Sequence, residues 1–204
     1  MISEKVTLAE PRISLFPRPV VVVTAIGQAP ELGATTVSWT GIVSSRPPVV
    51  AVSFLPDSYT RRCITRSREF VINVPDGTLV EETNLLGSVS GDWQKKAEVM
   101  REKLGRELHL EPSTSVRTPV IAEFYLNLEC RCLSTVQVGL YDVFLGEVLQ
   151  MQVKGDLLSY RHPRGEIDHR AVQPLLCLAD EYWSGGTALG RSTENKEHPH
   201  GRQH

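Results

Sequence analysis

Aromatic residues make up only 6% of the 204-residue chain. A planar ligand would therefore find few rings to stack on and would have to be held mainly by other groups. Strong charge of one sign is also missing. The formal net charge is -2, so no general basic field draws in nucleic acid or an anionic membrane surface. Long apolar runs are absent too. The most apolar stretches, Val20–Ile26 and Val49–Leu55, fall far short of the ~20 residues that a spanning helix needs. The opening MISEKVTLAEPRISLFPRP has no apolar run behind a basic start, and so does not read as a secretory signal. The four cysteines, Cys63, Cys130, Cys132 and Cys177, form no C-x-x-C pair, which excludes zinc-finger and thioredoxin-type sites. Cys130 and Cys132 are two apart in a strand-like run and are expected to fill one inner face. A cytoplasmic protein with reduced thiols and no metal is the expectation.

The polar end ENKEHPHGRQH carries His198, His200 and His204 and reads as a frayed terminus. His162 and His169 fall in a polar surface loop. What remains is apolar enough, at 41% hydrophobic, to build a core. A chain of this length buries roughly 70% of its unfolded surface without a metal or disulfide staple. The expected organisation is an N-terminal extension over 1–14, one domain over 15–191 and a flexible tail over 192–204.

The periodicity is mostly that of strands. Val20–Ala25 is β-branched and entered through Pro19. Gly27–Gly33 reads as a turn, and Ala34–Val43 as a strand. Arg46-Pro47-Pro48 is a stop, and Val49–Leu55 is a strand buried on both faces. Pro56-Asp57-Ser58 opens a helix over Tyr59–Arg66, followed by a strand over Glu69–Val74. Thr78 and Glu81 have capping-box spacing for a short helix through Leu86. Asp92 starts another helix, with Trp93, Ala97, Met100 and Leu104 on one face and Gly105 at its end. Strands resume over Ala122–Leu133 and Tyr141–Val153, with a short extended piece at Leu157–Tyr160. Helices are a minority and do not alternate with strands. This predicts a mainly β fold, an antiparallel barrel with a few inserted helices.

Nucleotide and hydrolase motifs are missing: no G-x-G-x-x-G, P-loop, H-E-x-x-H or G-x-S-x-G occurs. Gly185–Gly190 is glycine-rich, but the pattern predicts no strand before it. With no nucleophile evident, a bound cofactor would have to carry any difficult chemistry. Two stretches stand out. The first-turn amides of the helix after Ser58, with Thr60, Arg61 and Arg62, suit a phosphate, although on this stretch alone the plainer reading, Ser58 as an N-cap and the arginines as a solvated face, is favoured. In Gly33–Pro48 (GATTVSWTGIVSSRPP) small hydroxyl residues leave room for a flat polar ligand, or Trp39 simply fills core.

The ordered set RPVVVVTAIG, TTVSWTGIVSSRPPVVAVSF and PDSYTRRCITRSREFVINVP resembles the flavin reductase-like family of FMN-binding split barrels, to which flavoredoxins belong. Asn84–Gly87, Pro119–Glu123, Leu128–Cys130, Gly139–Val148 and Tyr182-Trp183 follow in family order, so the resemblance spans about Leu15 to Arg191. It implies a six-stranded antiparallel split β-barrel that binds FMN non-covalently at a homodimer interface. Residues matching Thr36, Val37, Ser38 and Trp39 would line the isoalloxazine. Ser53 and Ser58, Tyr59 and Thr60 would hold the ribityl chain and phosphate. Thr35, Ser45, Arg61 and Tyr182 complete the cofactor set, with Tyr141 and Asp142 in a stretch that approaches the flavin, in the family often from the partner subunit. Three positions depart from the common pattern: Gly33 where asparagine is usual, Arg46 for aspartate, and Tyr141 for histidine. Two functions follow from the resemblance: an NAD(P)H-dependent reductase passing hydride to FMN, or a flavoredoxin-like carrier serving a redox partner protein. Haem or a deazaflavin in the same barrel ranks last, since no histidine or cysteine is placed as an axial ligand.

Overall fold

The structure is a computed structural model and describes residues 5–28, 30–159, 166–168 and 170–186. His162, His169, the tail histidines and Thr187–Gly190 lie outside the described residues. The elements run β1 Arg18–Pro19, β2 Val21–Ile26, β3 Leu32–Val37, β4 Thr40–Ser45, β5 Pro48–Phe54, α1 Tyr59–Ser67 and β6 Glu69–Val74. A 3₁₀ turn at Gly77–Leu79 leads to α2 Val80–Ser88 and α3 Trp93–Leu104. Then follow β7 Leu110–Glu111, β8 Val120–Ile121, β9 Leu126–Val138, β10 Tyr141–Val153, β11 Leu158–Ser159, β12 Glu166–Ile167, β13 Leu175–Leu178 and β14 Glu181–Ser184.

The main sheet has the order β3-β2-β6-β9-β10-β5-β4, and every described pairing is antiparallel. The fold is the mainly β, antiparallel split barrel that the pattern and the resemblance predicted. Its sheet has seven strands, one more than expected. The stretch Ala34–Val43, read as one strand, is broken at Ser38-Trp39 into β3 and β4. The two pieces end at opposite edges of the sheet, so the break is where the barrel is split.

The barrel interior collects Val21, Val23, Val52, Phe54, Phe70 and Phe144. Phe54 and Phe144 meet edge to face, 5.8 Å between centroids, and burying each ring stabilises the fold by about 1.5–3 kcal/mol. β10 passes over Phe70 at Gly146, where a Cβ would stand 2.3 Å from Phe70 Cζ; only glycine fits. Cys130 and Cys132 are both buried on this interior, as their spacing predicted, and burial pushes the Cys130 thiol well up. A second core forms outside the barrel, where Leu85, Leu86, Met100 and Phe124 pack over Val22 and Ala34.

Asn73 ties β6 to β2, β8 and β9. Its Nδ2 donates to the Val22 carbonyl and Thr24 Oγ1, both at 3.1 Å, and its Oδ1 accepts from Ile121 N and Asn127 Nδ2, both at 2.9 Å. A buried amide with both ends satisfied fixes a single register.

Local signals set most helix ends as read. Ser58 caps α1, accepting from Arg61 N at 3.3 Å, and Asp92 caps α3, accepting from Lys95 N at 3.0 Å. Gly105 closes α3 in the left-handed region. The Thr78–Glu81 capping box does not form. Thr78 lies inside the 3₁₀ turn, and Asp76 supplies the cap, accepting from Thr78 N at 3.0 Å. The strand read from Ala122 begins only at Leu126, because Ala122–Tyr125 turn, and it continues to Val138.

Candidate functional site

The break between β3 and β4 leaves a cavity of about 460 Å³ against the start of α1. Thr35, Thr36, Val37, Ser38 and Trp39 form one wall, and Ser53 with Ser58, Tyr59 and Thr60 another. Gly87 near the end of α2 and Val89–Gly91, which join α2 to α3, close the remaining side together with Lys96, and Tyr141 covers the end near Trp39. Ten of the residues carried over from the resemblance are thus brought to one cavity.

Helix α1 presents its N-terminus here. Its first turn holds no acidic residue, so the unpaired amides keep their positive partial charge. The helix can lie this close because of Gly33, which sits in β3 and not in the preceding turn as expected. A Cβ on Gly33 would stand 2.7 Å from Thr60 Cα. Thr36 donates to the Thr83 carbonyl at 2.5 Å, locking β3 to α2. The Trp39 carbonyl accepts from Ser53 N at 3.0 Å.

The two arginines divide their work differently from the expectation. Arg61 does not line the cavity; it pairs with Asp142 at the start of β10, and Asp142 is likewise outside the wall. Arg62 lines the cavity instead. Its guanidinium lies 5.0 Å over the Tyr59 ring and donates to the Asp57 carbonyl at 3.1 Å. Helical spacing accounts for this: Tyr59 and Arg62 are three apart on one flank of α1, and Arg61 is on the other. Ser45 sits at the far end of β4, away from the cavity. Tyr182 lies across Cys177 in the β13–β14 pair and lines a neighbouring cavity of about 310 Å³. That second space shares Thr36, Ser38 and Gly87 with the first.

Lys96 was not read as a site residue. It is only 3% exposed, its Nζ donates to the Leu86 carbonyl at 2.5 Å, and burial lowers its pKa to about 8. A buried ammonium with one neutral partner is costly unless an anion completes it. The signal was present in the sequence. Lys96 falls at helical spacing in the same stripe as Trp93, Ala97 and Met100, a charge in an apolar face. Among the described residues no cluster of histidine, cysteine or carboxylate has metal-site geometry, and no helix is long and apolar enough to cross a membrane.

The chain belongs to the family of the flavin reductase like domain, whose sequence model matches residues 13–176. Among solved structures it is similar to the flavoredoxin of Desulfovibrio vulgaris (Miyazaki F), with a TM-score of 0.81 and 26% identity, over 95% of this chain and 100% of that one. The flavoredoxin of Methanosarcina acetivorans superposes with a TM-score of 0.78 at 26% identity, over 95% and 97% of the two chains. An uncharacterized protein of Archaeoglobus fulgidus is 30% identical over 137 residues, 67% of this chain and 72% of that protein. Fold, family and cavity together define a flavin-related redox protein.

Proposed function

We propose that this chain binds FMN non-covalently in the cavity between β3 and α1 and serves as an NAD(P)H-dependent flavin reductase. The observation that carries the reading is the convergence of two independent cationic features on one pocket. The first is the acid-free N-terminal turn of α1, capped by Ser58; the second is the buried Lys96 ammonium. Both suit a phosphate in a cavity that is also walled by the small-residue strand Thr35–Ser38. The donor set fits the group: the α1 amides, Thr60, Arg62 and Lys96 would hold the phosphate, and backbone and hydroxyl groups of Thr35–Ser38 would hold the ring.

When bound, FMN supplies the two-electron chemistry, taking hydride from NAD(P)H. The chain's own residues bind and orient. Thr36, held by Thr83, fixes the strand against which a flat ligand lies. Trp39 and Tyr141 exclude water from its end. Lys96 neutralises charge at a site with little solvent. No side chain need move a proton, in agreement with the absence of paired carboxylates in the cavity.

A homodimer is part of the proposal. β4, the open edge of the sheet, exposes Ile42 at 84% and Val43 at 55%. Nearby, β9 and β10 expose Leu133, Val136, Leu149 and Met151. Apolar side chains left this exposed on the sheet are suited to being covered by a second copy. The second functional reading, an FMN carrier that serves a redox partner protein, is favoured by Tyr141, which puts a bulky ring where the family commonly has histidine. Anaerobic addition of NADH or NADPH to the FMN-loaded protein separates the two: loss of the yellow band supports the reductase, and a persistent band the carrier.

A further inference from the structure

Tyr141 stacks directly on Trp39, with ring centroids 4.5 Å apart and planes inclined by 31°. Both rings line the main cavity. Stacked rings this close are in van der Waals contact, so a third ring cannot lie between them. The cavity, at about 460 Å³, lies at the low end of the roughly 300–1,000 Å³ of cofactor sites. A second planar ligand reaching a flavin from this end meets the Trp39–Tyr141 stack as part of the wall.

Most of that wall near the ring end is fixed backbone. Thr36 is bonded to Thr83, and Trp39 is bonded through its carbonyl to Ser53. Tyr141 is different. It is the first residue of β10, next to a turn that contains Gly139 at φ +57°. The tip is exposed, with Val138 at 59% and Leu140 at 75%. Asp142, its neighbour, is clasped by Arg61 from α1, the helix whose N-terminus forms the other end of the cavity. Its backbone is held in the β9–β10 ladder opposite Val138, its ring by the stack on Trp39, and the Asp142–Arg61 ion pair fixes the neighbouring residue.

We infer that Tyr141 is a specificity-determining cover: stacked on Trp39 and anchored through Asp142–Arg61, it restricts access of a second planar ligand, the nicotinamide of a hydride donor, to the ring end of the cavity. This rests on the flavin reading above. The cover slows hydride delivery from free NAD(P)H without contributing to the affinity of the phosphate end.

The test uses the full chain with Tyr141→Ala, Tyr141→Leu and Tyr141→Phe. Acrylamide quenching of Trp39 is read first in the FMN-free chain, with Trp93→Phe and Trp183→Phe removing the other indoles. Quenching should rise in the Ala and Leu variants and stay low in the Phe variant, which keeps the stack. FMN affinity is then titrated, and the loaded proteins are mixed anaerobically with NADH or NADPH. At FMN concentrations that saturate each variant, reduction should accelerate by about tenfold or more in the Ala and Leu variants, the scale expected when approach geometry is relieved. Unchanged quenching would show that Tyr141 covers nothing. Raised quenching with FMN retained and an unchanged reduction rate would show that the cover does not govern access. A native chain that takes up no FMN removes the flavin reading itself, and the specificity role with it, and is seen in the titration before any nucleotide is added.

Discussion

Gly33 of β3 lies directly beneath Thr60 of α1, so close that a Cβ at position 33 would stand 2.7 Å from Thr60 Cα. The atom it would strike is backbone, so helix or strand must move. Overpacking of this kind costs about 1–3 kcal/mol. Gly33→Ala should lower the melting temperature and, by lifting the first turn of α1 away from the cavity, weaken FMN binding as well. A variant with native stability and native FMN affinity would show that the helix–strand contact does not set the site. The same geometry explains the departure at this position: asparagine, common there in the family, has no room in this chain.

Lys96 couples the site to pH. Its pKa is lowered by burial from 10.5 to about 8. Between these values the unfolded chain binds more protons than the folded one, so the stability of the FMN-free chain rises with pH across this window. Below about pH 8 the full penalty applies, on the order of 3 kcal/mol. Lys96→Met should therefore stabilise the FMN-free chain at neutral pH and flatten its pH dependence between about 8 and 10. FMN affinity should change in the opposite sense. It should fall in the native chain as pH rises through about 8, and be weaker at neutral pH in the Met variant by the roughly 1.5–3 kcal/mol of a charge-assisted bond. Equal affinity in the two proteins would place the anion elsewhere.

The two arginines of α1 give a contrast. Arg62→Ala removes a guanidinium from the cavity wall and should weaken FMN by about 1 kcal/mol, at the lower end for a group open to solvent. Arg61→Ala instead leaves Asp142, only 13% exposed, without its partner and should loosen the start of β10. Differential hydrogen exchange at Tyr141–Val143 reads that loosening directly. A larger loss of FMN affinity in the Arg61 variant would reverse the assignment.

Thr60, at 1% exposure, lines the cavity, and in the proposed complex its hydroxyl would meet the phosphate. Thr60→Ala should weaken FMN by roughly 1–3 kcal/mol in a flavin fluorescence titration. An unchanged affinity would reduce Thr60 to a helix-start residue.

The exposed face of β4 tests assembly. Ile42 contributes nothing to its own core, so Ile42→Glu should leave the thermal melt of the isolated chain unchanged. In sedimentation it should shift the protein from dimer to monomer at low micromolar concentration. A native chain that is already monomeric and still binds FMN would overturn the interface.

Much of this was legible before the structure because it rests on local chemistry. Ser58 and Asp92 cap helices that they visibly begin, and the β-branched runs Val21–Ile26 and Glu69–Val74 are strands. What could not be read depended on the chain's return to itself. Nothing local marks Ser38-Trp39 as the break between two strands, since Thr-Gly-Ile-Val continues with the same propensity; the break comes from closing the barrel. Asp76 outcompetes Thr78 as a cap because it also accepts from Gln173 N at 2.9 Å, a contact 97 residues away. Lys96 shows the reverse. Its position in an apolar helical stripe was visible, but only the packing of α3 on α2 brings that lysine to the cavity wall, with its Nζ on the Leu86 carbonyl.

The most direct test of the account is an equilibrium titration of the purified chain with FMN, followed by its visible spectrum after removal of free flavin. The account predicts saturable uptake of one FMN per chain and a yellow protein whose affinity falls in Lys96→Met and Thr60→Ala. A colourless protein that takes up no FMN, or uptake indifferent to both substitutions, would contradict it.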